Sequence, residues 1–304
     1  MTADQQERVY FVGGTGNSGT NAVKELLKKK IPVTLYSRSP EKAQNLFGSL
    51  VTKDESPSLL NIIQGDLDDL TPFEASIQGH TRLFIVVNDF AHLASLTVAI
   101  AQKAYAAGIK QIVHISSVSA GYPWRSFAVG QSHRSAEEGI LAIPNRGSYV
   151  VLRPSRFMSN TITFQRASIQ QANVVFDIAD PDIPQQWISN NDIGLVVANI
   201  FKEPIEKHQD AVYELVGDVV TPTSRVAYLS EALGRPIKYV KKTAEEYYDV
   251  LTQQANLPHL IALDLVKAPD GKVKDQVTPG ISILLGRQPE TLEHWTHENK
   301  AALL

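Results

Sequence analysis

The first half of the chain alternates short apolar runs with segments whose apolar residues recur at helical spacing. Strand-like apolar runs occupy 8–14, 32–38, 59–67, 82–88, 111–117 and 149–157. The run at 82–88 is apolar almost throughout, as expected of a strand covered on both faces. Helix-like segments lie between them, at 18–30, 39–47, 71–79, 92–108 and 135–143. This alternation predicts an α/β fold, a Rossmann-type doubly wound parallel sheet with helices on both faces.

The pattern becomes less regular after residue 157. A short strand and a helix are predicted within 182–202, followed by strands at 211–217 and 237–242, helices at 224–234 and 243–256, and a helical tail from 257. We therefore expect a Rossmann domain over 1–155, to which a segment near 185–217 returns. Residues 156–304 are expected to form mainly a smaller, interwoven C-terminal α/β cap that binds substrate.

Composition narrows the classes of partner. The 304 residues are 43% hydrophobic and 20% charged, with a net charge of -3, so no electrostatic feature favours nucleic acid or a membrane surface. The absence of cysteine excludes disulfides, thiolate nucleophiles and cysteine-ligated metals. The polar start "MTADQQERVY" does not resemble a signal peptide, and no apolar run reaches the length of a membrane span. The expectation is a cytoplasmic protein, monomeric or homodimeric, that acts on a small molecule.

Four glycines cluster at the first junction between strand and helix, in "GGTGNSG" at 13–19. Gly14, Gly16 and Gly19 fit G-x-G-x-x-G, and Gly13, Gly16 and Gly19 equally fit G-x-x-G-x-x-G. Backbone N–H groups and the positive end of a helix dipole bind phosphate at such a junction, where a Cβ would block the approach. The predicted pyrophosphate contacts are Gly13, Gly14, Thr15, Gly16, Asn17, Ser18 and Gly19.

The end of the second strand indicates which dinucleotide binds. NAD sites usually place an acid there, whereas this chain has Tyr36, Ser37 and Arg38. Arg38 suits a ribose 2′-phosphate, with help from Lys42, so NADP(H) is favoured over NAD(H); the alternative is a solvated loop arginine. Asp66 is either an adenine contact or a turn former. Further predicted cofactor contacts are Ser37, Leu67, Val87, Asn88 and Ser116, at or near strand ends, and His133, near the start of a helix.

Together, "GGTGNSG", "YSR", "GDL", "HISS" and "LRPSRFMSN" resemble the atypical short-chain dehydrogenase/reductases of the NmrA-like group. That group contains quinone reductases, triphenylmethane reductase, isoflavone-reductase-like enzymes and fungal alkaloid reductases, and also NADP-sensing regulators with little or no catalysis. The resemblance covers most of the chain and implies an NAD(P)-binding oxidoreductase. None of its motifs is specific to one substrate.

The resemblance also implies a catalytic Ser followed by Tyr-x-x-x-Lys, and this chain departs from that pattern. When Glu137 is aligned with the Glu that follows the family's Lys, His133 takes the Lys position and Val129 the Tyr position. The catalytic candidates that remain are His133, Tyr122 and Ser117, with Ser116 as the alternative serine. His133 titrates near neutrality in an ordinary setting; it is equally interpretable as a structural hydrogen-bonding residue, and Tyr122 as an aromatic anchor.

Aromatic and apolar residues at strand ends are candidates for a substrate pocket. The predicted pocket residues are Phe90, Trp124, Phe157 and Met158, each of which is alternatively ordinary core. His92, His114 and His133 lack metal-ligand spacing, so no metal site is predicted. The basic run "KELLKKK" is interpreted as a solvated helix end.

Three functions remain open from the sequence. The leading hypothesis is an NADPH-dependent reductase that transfers a hydride to a small, fairly apolar electrophile (a quinone, enone, imine or carbonyl) without the Tyr-x-x-x-Lys dyad. The second is a non-catalytic NADP(H) sensor that regulates a partner protein. The third is a non-redox isomerase or cyclase on the same scaffold.

Overall fold

A central seven-stranded sheet dominates the computed structural model, which describes residues 7–52, 54, 59–267 and 276–304. Its strands are β1 (Val9–Val12), β2 (Val33–Ser37), β3 (Leu60–Gln64), β4 (Arg82–Ile85), β5 (Gln111–Ile115), β6 (Ser148–Pro154) and β10 (Val212–Leu215). They are ordered β10-β6-β5-β4-β1-β2-β3, and the neighbouring pairs from β3 across to β6 are all parallel. The predicted fold class, a Rossmann-type α/β fold, is confirmed.

The sheet's register follows from its apolar strands. Val9 pairs with Val33 on one side and with Arg82 on the other, so β1 is an interior strand of the sheet. Because all four β1 residues are buried, both faces of this strand are covered. The core on one side of the sheet includes Tyr10 and Tyr149.

Thirteen helices are present in the described part of the chain. They are α1 (Asn17–Lys28), α2 (Pro40–Phe47), α3 (Thr71–Ser76), α4 (Leu93–Ala106), α5 (Ala128–Leu141), α6 (Asn160–Ala172), α7 (Asn190–Lys202), α8 (Ile205–His208), α9 (Pro222–Leu233), α10 (Ala244–Asp249), α11 (His259–Val266), α12 (Gly280–Leu285) and α13 (Leu292–Glu298). α10 continues into a π-helical turn at Val250–Gln254.

The remaining strands form two small sheets. In one, β9 (Gln185–Ile188) pairs in parallel with β7 (Arg156–Phe157) and antiparallel with β11 (Asp218–Val220). In the other, β8 (Val174–Asp177) pairs in parallel with β12 (Lys238–Lys241).

Two compact units divide the chain. The first comprises Met1–Gly121, Gln131–Arg153 and Ile193–Tyr213; the second comprises Tyr122–Gly130, Pro154–Asp192 and Glu214–Leu304. The second unit has cores of its own, one around Trp187 and Trp295 and one around Ile169 and Leu229.

The sequence patterns located most elements within a few residues, with three differences. Helix α5 begins at Ala128 and not at 135, because the carboxylate of Asp264 accepts a hydrogen bond from the Val129 N–H at 2.8 Å and caps an earlier start. Helices α6 and α8 and strands β8 and β11 were not predicted. The predicted polar start at residues 1–6 and part of the predicted helical tail, 268–275, lie outside the described residues.

No helix in the described ranges has the length and apolar character that crossing a membrane requires.

Candidate functional site

The glycine loop joins β1 to α1, and two of its glycines are required by the fold itself. Gly13 has a φ of +89°, and a Cβ there would lie 2.3 Å from Cγ1 of Val86. A Cβ on Gly19 would lie 2.6 Å from the carbonyl oxygen of Gly13. At both positions the backbone therefore lies too close to its neighbours for a side chain to fit.

Gly16 differs, because the described part of the protein gives no reason for a glycine there. Its φ is -88°, and an added Cβ would meet only the Gly13 carbonyl oxygen, at 3.4 Å. Gly16 immediately precedes α1, whose first turn has neither an acidic residue nor a side-chain cap. The backbone N–H groups of this first turn are therefore available to an anion. The space that a Cβ would occupy and the uncapped N–H groups both fit a dinucleotide pyrophosphate.

The predicted contacts around that loop have different surroundings. Asn17 is exposed and Thr15 half-buried, whereas Gly14 and Ser18 are buried. A Cβ on Gly14 would lie 2.8 Å from Cδ2 of Leu35, which makes Gly14 a packing position. The loop therefore combines glycines that shape it with positions that a ligand can reach.

Arg38 follows β2 and extends into solvent. Its side chain is 81% exposed, and its Nε lies 4.0 Å from a carboxylate oxygen of Asp66. Asp66 acts as a turn former, because its Oδ1 accepts a hydrogen bond from the Leu67 N–H at 2.6 Å, and the Tyr36 hydroxyl donates to its backbone oxygen at 2.7 Å. Lys42 is exposed in the first turn of α2. This end of the sheet therefore presents two accessible cations.

Other predicted cofactor contacts belong partly to the core. Val87 is buried, and the half-buried Leu67 packs against the same apolar cluster, so both side chains serve mainly the core. Ser37 is buried, and its hydroxyl bonds the backbone of Ser39. Asn88 is exposed after β4.

His133 lies on α5 and is buried, with 8% of its surface exposed. Burial lowers its pKa to about 4, with the negative charge of Glu137 opposing the shift, so the ring is neutral near pH 7. This differs from the expectation that His133 titrates near neutrality, and the reason is the cost of burying the imidazolium. Its Nδ1 has no hydrogen-bond partner among the described residues.

A second buried histidine lies beside it. The ring centroids of His114 and His133 are 6.3 Å apart, and His114 Nδ1 shares a 2.7 Å hydrogen bond with the hydroxyl of Tyr149. Burial lowers the pKa of His114 to about 3. Both rings are therefore neutral near pH 7, and of the two only His114 has a hydrogen bond described here, to Tyr149.

Glu137 of α5 connects its helix to β5 and β6. Its carboxylate accepts a 2.5 Å hydrogen bond from the Ser116 hydroxyl, at the end of β5. It also accepts two hydrogen bonds from Arg153 of β6, in a bidentate ion pair. Arg153 was missed in the sequence, because nothing in the spacing of "LRPS" relates it to Glu137. This network fixes Ser116, while the Ser117 hydroxyl bonds that of Ser119 at 2.8 Å.

The candidate residues in the second unit are Tyr122, Trp124, Phe157 and Met158. Tyr122 is half-buried, its ring packs edge-on against Phe127 at 5.4 Å, and burial raises its pKa. Trp124 is 69% exposed, and Phe157 is partly exposed at the end of β7. Met158 is fully buried in the Trp187 core, so its side chain is core packing and does not line an open pocket.

Phe90 belongs to the first unit and is 41% exposed after β4, so its ring is available to a ligand. His92 bonds the carboxylate of Asp89 at 2.8 Å. Among the residues the structure describes, no three histidine or acidic side chains are grouped to hold a metal ion.

Solved structures of two kinds share this fold. An NADPH-dependent quinone oxidoreductase from Escherichia coli, crystallised with NADPH, superposes with a TM-score of 0.78 at 22% identity, covering 95% of this chain and 99% of its own. NmrA, a negative transcriptional regulator crystallised with NAD, superposes with a TM-score of 0.72 at 17% identity, covering 99% of each chain. At these identities the likeness establishes the fold.

Sequence comparisons extend the likeness. An NAD(P)H azoreductase from Xenophilus azovorans is 24% identical over 249 residues, which is 80% of each chain. The sequence model of the NmrA-like family matches residues 5–297, nearly the whole chain. The chain therefore belongs to the NmrA-like family.

Proposed function

We propose that this protein is an NADPH-dependent reductase that transfers a hydride to a small, largely apolar electrophile without an acid dyad. The broader class predicted from the sequence, an NAD(P)H-dependent oxidoreductase, is confirmed by the relatives. The narrower proposal rests on one observation. An open glycine cradle occurs in a chain whose two dyad positions are Val129, which is aliphatic, and His133, which is buried and neutral.

Three groups of residues have roles in this proposal. The N–H groups of the first turn of α1 bind the pyrophosphate, which lies beside Gly16, and Arg38 and Lys42 bind the ribose 2′-phosphate. When bound, the nicotinamide supplies a hydride. The network of Ser116, Glu137 and Arg153 holds the ends of β5 and β6 in place.

Proton supply limits the class of substrate. Val129 has no acidic group, and neutral His133 is a weak acid near pH 7. Reduction of a plain ketone needs a proton at the developing alkoxide, whereas quinones, conjugated enones and iminium ions need less assistance. We therefore place quinones, enones and imines ahead of simple carbonyls.

Tyr122 is the proposed hydrogen-bond donor for carbonyl substrates. Because burial raises its pKa, the hydroxyl keeps its proton throughout the neutral range. Tyr122→Phe is expected to lower kcat several-fold for a ketone and to leave quinone reduction nearly unchanged. An equal loss with both substrates would argue against this role.

The test of the reductase proposal is NADPH oxidation, followed at 340 nm, against a panel of quinones, enones, imines and ketones. We expect turnover with at least one of the first three classes. If the protein binds NADPH but oxidises it with none of these substrates, the reductase proposal is refuted.

The proposed preference for NADPH is tested separately with Arg38→Gln. Losing a charge-assisted contact to the 2′-phosphate should raise the KM for NADPH about 10- to 100-fold, on the order of 1.5–3 kcal/mol, and leave the KM for NADH unchanged. Glu41→Gln, which alters a neighbouring exposed charge, is the control. Equal effects of Arg38→Gln on both cofactors would contradict the preference.

A second candidate is favoured by the same missing dyad together with the likeness to NmrA. In that case the protein binds NADP(H) and regulates a partner protein without turnover. A partner recovered with the protein should then bind with an affinity that differs between NADP+ and NADPH. Equal affinity in both states would exclude this candidate.

A further inference from the structure

Two arginines pack over one buried tryptophan in the second unit. Trp187 of β9 is 1% exposed and pairs in register with Arg156 of β7. The guanidinium carbon of Arg156 lies 5.2 Å from the centroid of the Trp187 ring, and that of Arg225, on α9, lies 4.9 Å from it. We call Arg156, Arg225, Trp187 and the nearby Asp177 the arginine cluster.

The carboxylate of Asp177 is already occupied. Its Oδ2 accepts hydrogen bonds from Arg156 at 2.8 Å and from Gln185 at 3.1 Å, and its Oδ1 accepts one from the Ile178 N–H at 2.8 Å. Asp177 therefore forms its ion pair with Arg156, and it attracts Arg225 through its charge without a hydrogen bond, so that two guanidinium groups share this carboxylate.

Arg225 is a buried cation without a carboxylate partner among the described residues. It is 4% exposed, its Nε has no hydrogen-bond partner, and its Nη2 makes one long contact, 3.4 Å, to the Thr161 hydroxyl. Burial lowers its pKa to about 10, so it remains charged at neutral pH. An unpaired buried charge is costly, and the attraction of Trp187 offsets only part of that cost.

The surroundings add positive charge and aromatic surface. The Lys242 ammonium lies 5.6 Å from the ring centroid of Phe176, and no carboxylate within the described ranges pairs with it. The Phe176 ring packs edge-on against Tyr247 at 5.9 Å, and both residues are half-buried. Nearby, Asp180 is paired with Lys241 and is not available.

Solvent reaches the cluster on the Arg156 side. The Arg156 side chain keeps 31% of its surface exposed, whereas that of Asp177 keeps 5%. An anionic group arriving there meets one accessible guanidinium and, close by, a second one whose Nε has no hydrogen-bond partner among the described residues. Arginine forks bind carboxylate, phosphate and sulfonate oxygens with geometry that a lysine cannot supply.

We propose that the arginine cluster is a subsite for an anionic group, a carboxylate, phosphate or sulfonate, carried by the substrate of this protein. The assignment to substrate rests on the proposed reductase function; the anion binding itself does not. The substrate class then becomes an apolar electrophile with one anionic substituent.

The test compares two quinones that differ by one anionic group, 1,4-naphthoquinone and 1,4-naphthoquinone-2-sulfonate. Equilibrium binding is measured by calorimetry with NADP+ at saturation, so that no turnover occurs. The chain has no cysteine that a quinone could alkylate, which favours these probes. We expect the wild type to bind the sulfonate at least ten-fold more tightly than the neutral quinone.

Matched variants then assign that preference to the cluster. Arg225→Met should abolish it, and Arg156→Gln should reduce it. Arg166→Gln removes a charge from an exposed position of the same unit, on α6, and should leave it intact. Equal affinities of the wild type for both quinones, or an equal loss in the Arg166→Gln control, would overturn the proposal.

Thermal melting shows whether the variants are folded. Removing a buried charge that has no hydrogen-bonded carboxylate should raise the melting midpoint of ligand-free Arg225→Met, whereas a purely structural arginine would lower it and contradict the proposal. Stabilisation of the wild type by inorganic phosphate without a sulfonate preference would also overturn a substrate subsite. A sulfonate preference without NADPH oxidation would instead support the anion site and reject the reductase function.

Discussion

Gly13 and Gly16 stand three residues apart, yet different forces require a glycine at each. Gly13 has a backbone conformation that side chains disfavour, and Val86 fills the place of its Cβ. Gly16 has an ordinary conformation and open space beside it. One glycine therefore serves the fold, and the other leaves room for a ligand.

The two glycines should respond differently to alanine. Gly13→Ala is expected to lower the free energy of unfolding by about 2–4 kcal/mol, from positive φ and overlap with Val86. Gly16→Ala should change it by less than about 1 kcal/mol and weaken NADPH binding ten-fold or more. Urea unfolding and NADPH fluorescence titration measure the two effects. Unchanged NADPH affinity in Gly16→Ala would contradict a cofactor at this loop.

His133 should make stability depend on pH in the acid range. An unfolded histidine takes up its proton near pH 6.5, whereas folded His133 does so only near pH 4. Between these values the unfolded state binds more protons, so stability falls as the pH falls, by up to ~1.4 kcal/mol per pH unit for this residue. His114 adds a similar effect.

His133→Gln should therefore reduce the slope of the unfolding free energy between pH 6.5 and 4 by about one proton. His294→Gln, at a mainly exposed position, serves as the control. Urea unfolding at several pH values measures the slope, and an unaltered slope in His133→Gln would refute the burial argument. Activity near pH 7 should show no titration that belongs to His133.

Helix α5 illustrates how an element depends on a residue far away in the chain. Its first turn is capped by Asp264, 135 positions after Val129, through the 2.8 Å bond to the Val129 N–H. Asp264 is 5% exposed, so water does not readily replace this acceptor. The helix start predicted at 135 from local patterning was therefore too late.

Removing the cap should destabilise the protein measurably. Asp264→Ala is expected to cost about 1–2 kcal/mol and to speed hydrogen exchange in the first turn of α5, at Gly130 to Arg134. Asp264→Asn keeps an acceptor oxygen and should restore part of the loss. Wild-type exchange in Asp264→Ala would show that α5 starts at Ala128 for another reason.

At the scale of the whole molecule, the first unit is completed by a late segment of the chain. Residues 193–213 belong to it, and β10 forms the edge of the seven-stranded sheet beside β6. Buried Arg82 of β4 donates to the backbone oxygen of Ile200 at 3.2 Å. Gly194 lies so close to α1 that a Cβ would be 2.6 Å from that of Asn21.

A fragment of residues 1–155 should therefore not fold independently. It lacks β10 and α7, exposes the core face that α7 covers, and leaves Arg82 with a missing acceptor. Circular dichroism and urea unfolding of the fragment, with the full chain as control, should show loss of a cooperative transition. A cooperative transition in the fragment would contradict this dependence. The division of function between 1–155 and 156–304 stays a prediction.

The sequence by itself determined the α/β sheet and the position of the glycine loop at its first junction between strand and helix; the cofactor contacts of that loop, the role of Arg38 and the gap at the dyad stay predictions. These are local features, since apolar periodicity sets strands and helices, and backbone chemistry sets the phosphate loop. Only the tertiary structure decided the protonation state of His133, the cap on α5, the ion pair of Glu137 with Arg153 and the burial of Arg225 without a hydrogen-bonded carboxylate. These properties depend on burial and on contacts between residues far apart in sequence. Local sequence patterns carry no information about such distances or about desolvation.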